Sequence, residues 1–82
     1  MTRLEVRNVA SALVARDLSD EFEGMVQDAA TVTGEGWIVR FIAGEPVRMG
    51  LTVVPVLFIE VSGEREAEAA TFVRRKSMRG GG

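Results

Sequence analysis

Eighty-two residues bound the chain to one small domain, with 46% hydrophobic and 27% charged residues placing it among globular proteins rather than disordered ones. A net charge of −2 argues against a general nucleic-acid binder, which carries a strongly basic balance. The absence of cysteine, histidine and tyrosine removes disulfides, thiolate and imidazole metal ligands, and most nucleophiles and general bases.

The first residues, Arg3 to Arg7, alternate charge with Leu4 and Val6, which reads as a short edge strand or an ordered arm. From Val9 the apolar positions Leu13, Val14, Leu18, Phe22, Met25, Val26, Ala29 and Val32 recur by threes and fours, the period of an amphipathic helix. The spacing therefore predicts a long N-terminal helix with Asn8 as a cap. It is either one helix or two that meet near Arg16 and Asp17, with Asp17 or Ser19 capping the second. Gly34 is the expected stop, since it lacks the Cβ that disfavours the left-handed conformation just past a helix end.

Beyond Gly36 the period becomes two: Trp37, Val39 and Phe41 share one side, and Ile38, Arg40 and Ile42 the other. Ala43-Gly44-Glu45-Pro46 reads as a turn. The return segment puts Val47, Met49, Leu51 and Val53 on one face, so residues 37–54 read as a β-hairpin. Pro55 cannot donate to a ladder and marks an edge, a bulge or a strand end. Val56 to Val61 is a further strand or a continuation past a kink. Ser62 and Gly63 break the pattern, and Glu64 to Met78 reads as a C-terminal helix, with acids in its first turns and Arg74, Arg75 and Lys76 in its last. Its apolar stripe of Ala69, Ala70, Phe72, Val73 and Met78 is thin enough to suggest a neighbouring subunit. The expected architecture is α+β: a long N-terminal helix, a small antiparallel sheet built on a β-hairpin, and a C-terminal helix. Residues 1–79 form the single domain, and 80–82 a flexible glycine tail.

Asp17, Glu21 and Asp28 can share a helical side and suggest a cation site, but a calcium loop needs alternating carboxylates within a turn, so a solvated helix face is preferred. Gly34-Glu35-Gly36 lies between a helix and a strand, the reverse of a phosphate-cradling loop. The Arg74 to Arg79 cluster could contact phosphate, but favourable charge at a helix C-terminus is the preferred reading. A terminal diglycine suggests a ubiquitin-like tail, yet such domains open with a hairpin before the helix. No catalytic residue, cofactor or metal is expected, and the chain is not expected to be an enzyme. The longest apolar run, Leu51 to Ile59, is interrupted by Thr52 and Pro55 and falls short of the ~20 residues of a membrane helix. No secretory signal is read at the start.

Val9 to Met78 resembles the small head-to-tail connector or minor tail component proteins of tailed phages, especially those of actinobacterial hosts. The segments that carry the resemblance are an acidic, alanine-rich helix over Leu18 to Ala30 and an Ala-x-x-x-Gly-x-Gly-aromatic exit over Ala30 to Trp37. They continue in a return strand from Arg48 to Val54 and an Ala/Glu-rich helix from Glu64 to Arg75. The Val53 to Val61 run departs from that pattern, being longer and more apolar, and suggests an inserted strand facing a partner. The resemblance implies a virion protein made in the host cytoplasm, forming a homo-oligomeric ring that joins head to tail and contacts other virion proteins. Membrane and direct nucleic-acid binding are not expected. Interface candidates are Val54, Val56 and Phe58, with Arg74 and Arg75 facing Asp20 and Glu23 of a neighbour. Two alternatives remain open. A capsid decoration or minor capsid protein differs in copy number per particle, and a small regulatory module would bind DNA or protein, the former with steep salt dependence.

Overall fold

A computed structural model describes residues 1–80, with side chains to Ser77. The chain runs β1 (Thr2–Arg7), α1 (Ser11–Glu21), β2 (Met25–Asp28), β3 (Thr31–Gly34), β4 (Trp37–Ala43), β5 (Val47–Met49), β6 (Thr52–Val54), β7 (Val56–Ser62) and α2 (Glu66–Gly80). Five strands make an antiparallel sheet in the order β1-β7-β4-β3-β2, and β5 and β6 make a separate two-stranded ribbon. Since β1 and β2 are the two edges, α1 carries the chain from one side of the sheet to the other. Both helices pack on one face, α1 against β2 and β3 and α2 against β1, β4 and β7, and they also touch each other.

The fold is α+β, but the long N-terminal helix is not there. α1 is an 11-residue helix, and the residues expected to continue it form the β2–β3 hairpin. Glu23 takes a left-handed φ of 57° and Gly24 donates its N–H to the Leu18 carbonyl at 2.9 Å, which closes the helix. Gly24 then passes close under Trp37. At the next reversal the Ala30 N–H donates to Asp28 Oδ1 at 2.8 Å, a side-chain turn that ends β2, and the β-branched run Thr31-Val32-Thr33 enters the ladder. Val26 and Val32 are directly paired across this hairpin, so their helix-compatible spacing was a coincidence of two alternating strands. Ala10, in an extended conformation, is the N-cap of α1 and supplies no side-chain cap; Asn8 instead has φ 59° and donates its N–H to the Pro55 carbonyl. α1 runs unbroken through Asp17 and Ser19.

Gly34-Glu35-Gly36-Trp37 is consequently a strand-to-strand turn, with Gly34 paired to Trp37 and Gly36 at φ 83°. A side chain at Gly36 would be strained, and a Cβ at Gly34 would collide with the indole of Trp37, which lies over it. The expected hairpin is also replaced. β4 pairs with β7, not with residues 47–54, in a register that sets Val39 opposite Val61 and Phe41 opposite Ile59. Val56–Ser62 is thus a central strand between β1 and β4, and the insertion is the β5–β6 ribbon that precedes it. Pro55 stands between the ribbon and β7, where its missing donor does no harm.

The helix-facing side of the sheet holds the core. Val32, Val39, Ile59 and Val61 are fully buried with Leu18 of α1 and Val73 of α2. Phe22 bridges Trp37 and Phe72, with ring centroids 5.4 and 4.9 Å away. Of the expected apolar stripe of α2, Ala69, Ala70, Phe72 and Val73 are buried here and not left for a neighbour, while the Met78 side chain lies outside those described. Gly80 falls within α2; the rest of the expected glycine tail, residues 81 and 82, lies outside the described residues.

Candidate interaction surfaces

The β5–β6 ribbon is the most exposed apolar element among the described residues. Its turn lies at Gly50 and Leu51, and its register pairs Val47 with Val54, Arg48 with Val53 and Met49 with Thr52. That register puts Arg48 and Val53 on one side and Met49 and Thr52 on the other, so the expected face of Val47, Met49, Leu51 and Val53 is split by the turn. Leu51 at the tip is 106% exposed, Met49 56% and Val53 55%. The two strands pack chiefly on each other. Apolar, β-branched residues make the segment strand-forming, while Pro46 and Pro55 at its ends keep it from joining the main ladder.

A second surface lies between α1 and the edge strand β2. It is a groove of about 470 Å³ with an apolar lining that includes Ala12, Ala15, Val26 and Ala29, and with Asp20 and Asp28 among its polar lining residues. Small side chains on this side of α1 leave the space open, and Val26 remains half exposed above it. Arg16 also lines the groove, but its guanidinium lies 3.8 Å from Asp17. Among the described residues neither Asp20 nor Asp28 lies within ion-pair distance of a basic group.

The face of the sheet opposite the helices carries Arg3, Glu60 and Arg40 in one cross-strand row, and Glu5, Phe58 and Ile42 in the next. Arg3 sits 4.4 Å from the ring centre of Phe58, and 4.0 Å from Glu60. This face is mixed, with apolar side chains interleaved among paired charges. Its β1 edge alternates Arg3, Glu5 and Arg7, and the β2 edge carries a register shift between Val26 and Asp28; both features discourage indiscriminate strand addition.

The interface residues expected from sequence are scattered over these surfaces. Val54 is half-buried in the ribbon, and Phe58 half-buried on the open sheet face under Arg3. Val56 is buried inside the monomer, so it has little surface to offer a partner. Arg74 and Arg75 are exposed on α2, Arg75 above the Phe72 ring at 5.8 Å. Asp20 and Glu23 are exposed at and beyond the end of α1, with Asp20 in the groove. The acidic and basic stretches nonetheless meet within one chain: Lys76 Nζ donates to both oxygens of Glu21 at 2.7 and 2.9 Å, tying α2 to α1. The exposed Met49, Leu51 and Val26 and the alanines of α1 that line the groove are not among the interface residues expected from sequence. The signal was present in the flanking prolines of residues 47–54, which isolate an apolar strand pair from the sheet.

Among the described residues, Glu66, Glu68 and Arg65 have titration shifts, each caused by hydrogen bonds and ion pairs. The Thr2 hydroxyl donates to Glu66 at 2.6 Å, and with the terminal ammonium at 3.2 Å it holds that carboxyl below its ordinary range. Arg65 does the same for Glu68 by hydrogen bonding and charge, and its own pKa is raised in return. Among the described residues no group of three acidic side chains is placed to hold a metal ion. No helix there is long and apolar enough to cross a membrane. Comparison with family models gives no match to this chain, and comparison with curated proteins gives none either.

Proposed function

We propose that this chain is a structural protein that works as a homo-oligomer, a subunit of the ring at the head-to-tail junction of a tailed-phage particle. The observation that carries the oligomeric part is the β5–β6 ribbon, whose three large apolar side chains stand in solvent. A lone two-stranded ribbon is marginally stable in water, and apolar surface gathered on such a projection is the usual mark of a contact with another protein. A contact between a projecting arm and a different surface of the next copy is heterologous, and repeated at a closing angle it generates a ring. The setting at a head-to-tail junction comes from the resemblance of Val9 to Met78. Of the segments that carry it, Glu64 to Arg75 includes most of α2, whereas Leu18 to Ala30 is helical only to Glu21 and then contains β2, and Ala30 to Trp37 is a turn, a strand and a second turn.

The test is the mass of the purified chain by light scattering and native mass spectrometry, followed by image symmetry. A closed multimer of one size is expected. A monomer throughout the micromolar range would overturn the proposal.

A further inference from the structure

The ribbon and the α1/β2 groove have complementary character, and neither fills the other within one molecule. The ribbon presents Leu51 at its tip and a single charge, Arg48, over residues 47–54. The groove has a lining of Ala12, Ala15, Val26 and Ala29 and carries Asp20 and Asp28, with Arg16 lying beside Asp17. Resting on the reading of the chain as a self-assembling subunit, we propose that the ribbon of one copy seats in the α1/β2 groove of a second copy. Leu51 enters the apolar part and Arg48 faces Asp20 and Asp28.

Charge favours this seat over the open sheet face. There Arg3, Arg7 and Arg40 outnumber Glu5 and Glu60, so an incoming Arg48 meets a net positive face, whereas the groove sets Asp20 and Asp28 against Arg16 alone. In the groove it meets two carboxylates that have no basic partner among the described residues. Size agrees as well, because a groove of about 470 Å³ has room for the leucine at a ribbon tip and one or two of its neighbours. The apolar contact supplies most of the affinity. The charge pair, at the rim, sets orientation and contributes a few-fold.

The chain has no cysteine, so engineered pairs report on the contact without background. Leu51→Cys combined with Ala12→Cys in one chain, oxidised gently and run without reductant, is expected to give a ladder of linked subunits. Leu51→Cys combined with Ile42→Cys, which places the second thiol on the open sheet face, is expected to give at most weak dimers. A second measurement uses charge. Arg48→Glu is expected to raise the concentration for half-assembly about two- to fivefold, and Arg48→Glu with Asp20→Arg to recover most of that loss. Circular dichroism of each variant checks the fold. A multimeric wild-type chain that gives no ladder with Ala12→Cys, or a stronger one with Ile42→Cys, overturns the groove while leaving self-assembly standing. A monomeric wild-type chain overturns both.

Discussion

Trp37 stands at the start of β4 with its indole over Gly34, against Gly24 and beside Phe22, only 2% exposed. It holds the end of α1 to the β3–β4 turn, and through Phe22, which stacks on Phe72, it is linked to α2. Trp37→Ala is expected to cost about 3–5 kcal/mol, through lost burial and the cavity it leaves. A domain of this size has roughly 4–12 kcal/mol in all, so much of the population would unfold. Gly34→Ala acts from the opposite side, pushing the indole off its seat, and is expected to cost about 1–3 kcal/mol. Urea titration followed by the fluorescence of the chain's one tryptophan measures both. At the same scale, Glu66 titrates below its ordinary value of 4.5 because the folded chain donates hydrogen bonds to its charged form. The stability it contributes is present above that value and disappears as pH falls through the lowered one. Thr2→Val should therefore destabilise at neutral pH, and the gap to the wild type should narrow steadily on acidification below 4.5. Denaturation midpoints from neutral pH to about pH 2 would show this, and a gap that stays constant would assign the Thr2 effect to packing instead.

Among the elements, the β5–β6 ribbon is set apart because it makes so little use of the rest of the molecule. β4 and β7 meet directly, with Ala43 opposite Leu57, so the ribbon is an excursion from a junction that closes without it. Replacing residues 47–54 by a short glycine-containing turn should leave the unfolding midpoint nearly unchanged while abolishing assembly. Thermal unfolding and light scattering on the same sample separate the two effects. A large loss of stability would mean the ribbon belongs to the core after all. The helices behave in the opposite way. The apolar stripe of α2 is consumed by the sheet, and Lys76 binds Glu21 of α1 with its own side chain only 9% exposed. The charge complementarity expected between subunits is therefore satisfied in part within each one. Arg74, Arg75 and Glu23 remain at the surface for contacts of rim strength.

At the scale of the whole molecule, the described chain measures 42 × 23 × 22 Å, nearly twice as long as it is wide. One face of the sheet is sealed by two helices, and the opposite face is a lattice of alternating charge with Phe58, Ile38 and Ile42 between. Both sheet edges are blunted, one by charge and one by an irregular register, and the ribbon and the groove are among the exposed apolar surfaces of the described residues. Sequence alone determined the α+β class, the alternation of β4 and the placement of the last helix, because each is encoded by local period and charge, and it held the first strand as one of two readings of residues 3–7. It also marked residues 53–61 as unusual. The segment that projects is residues 47–54, while Val56–Ser62 is a central strand, a difference that apolar content does not record because it cannot tell a strand buried between two neighbours from one that projects. The tertiary structure decided three matters. Val26 and Val32 became cross-strand partners rather than one helical face, because Gly24 had to pass beneath Trp37 and Asp28 turned the chain back. β7 replaced the ribbon as partner to β4, because Ile59 and Val61 bury completely only between β1 and β4. Lys76 found Glu21 across 55 positions of sequence. Each of these depends on which distant surface a residue meets, and a short-range pattern of polarity carries no record of that.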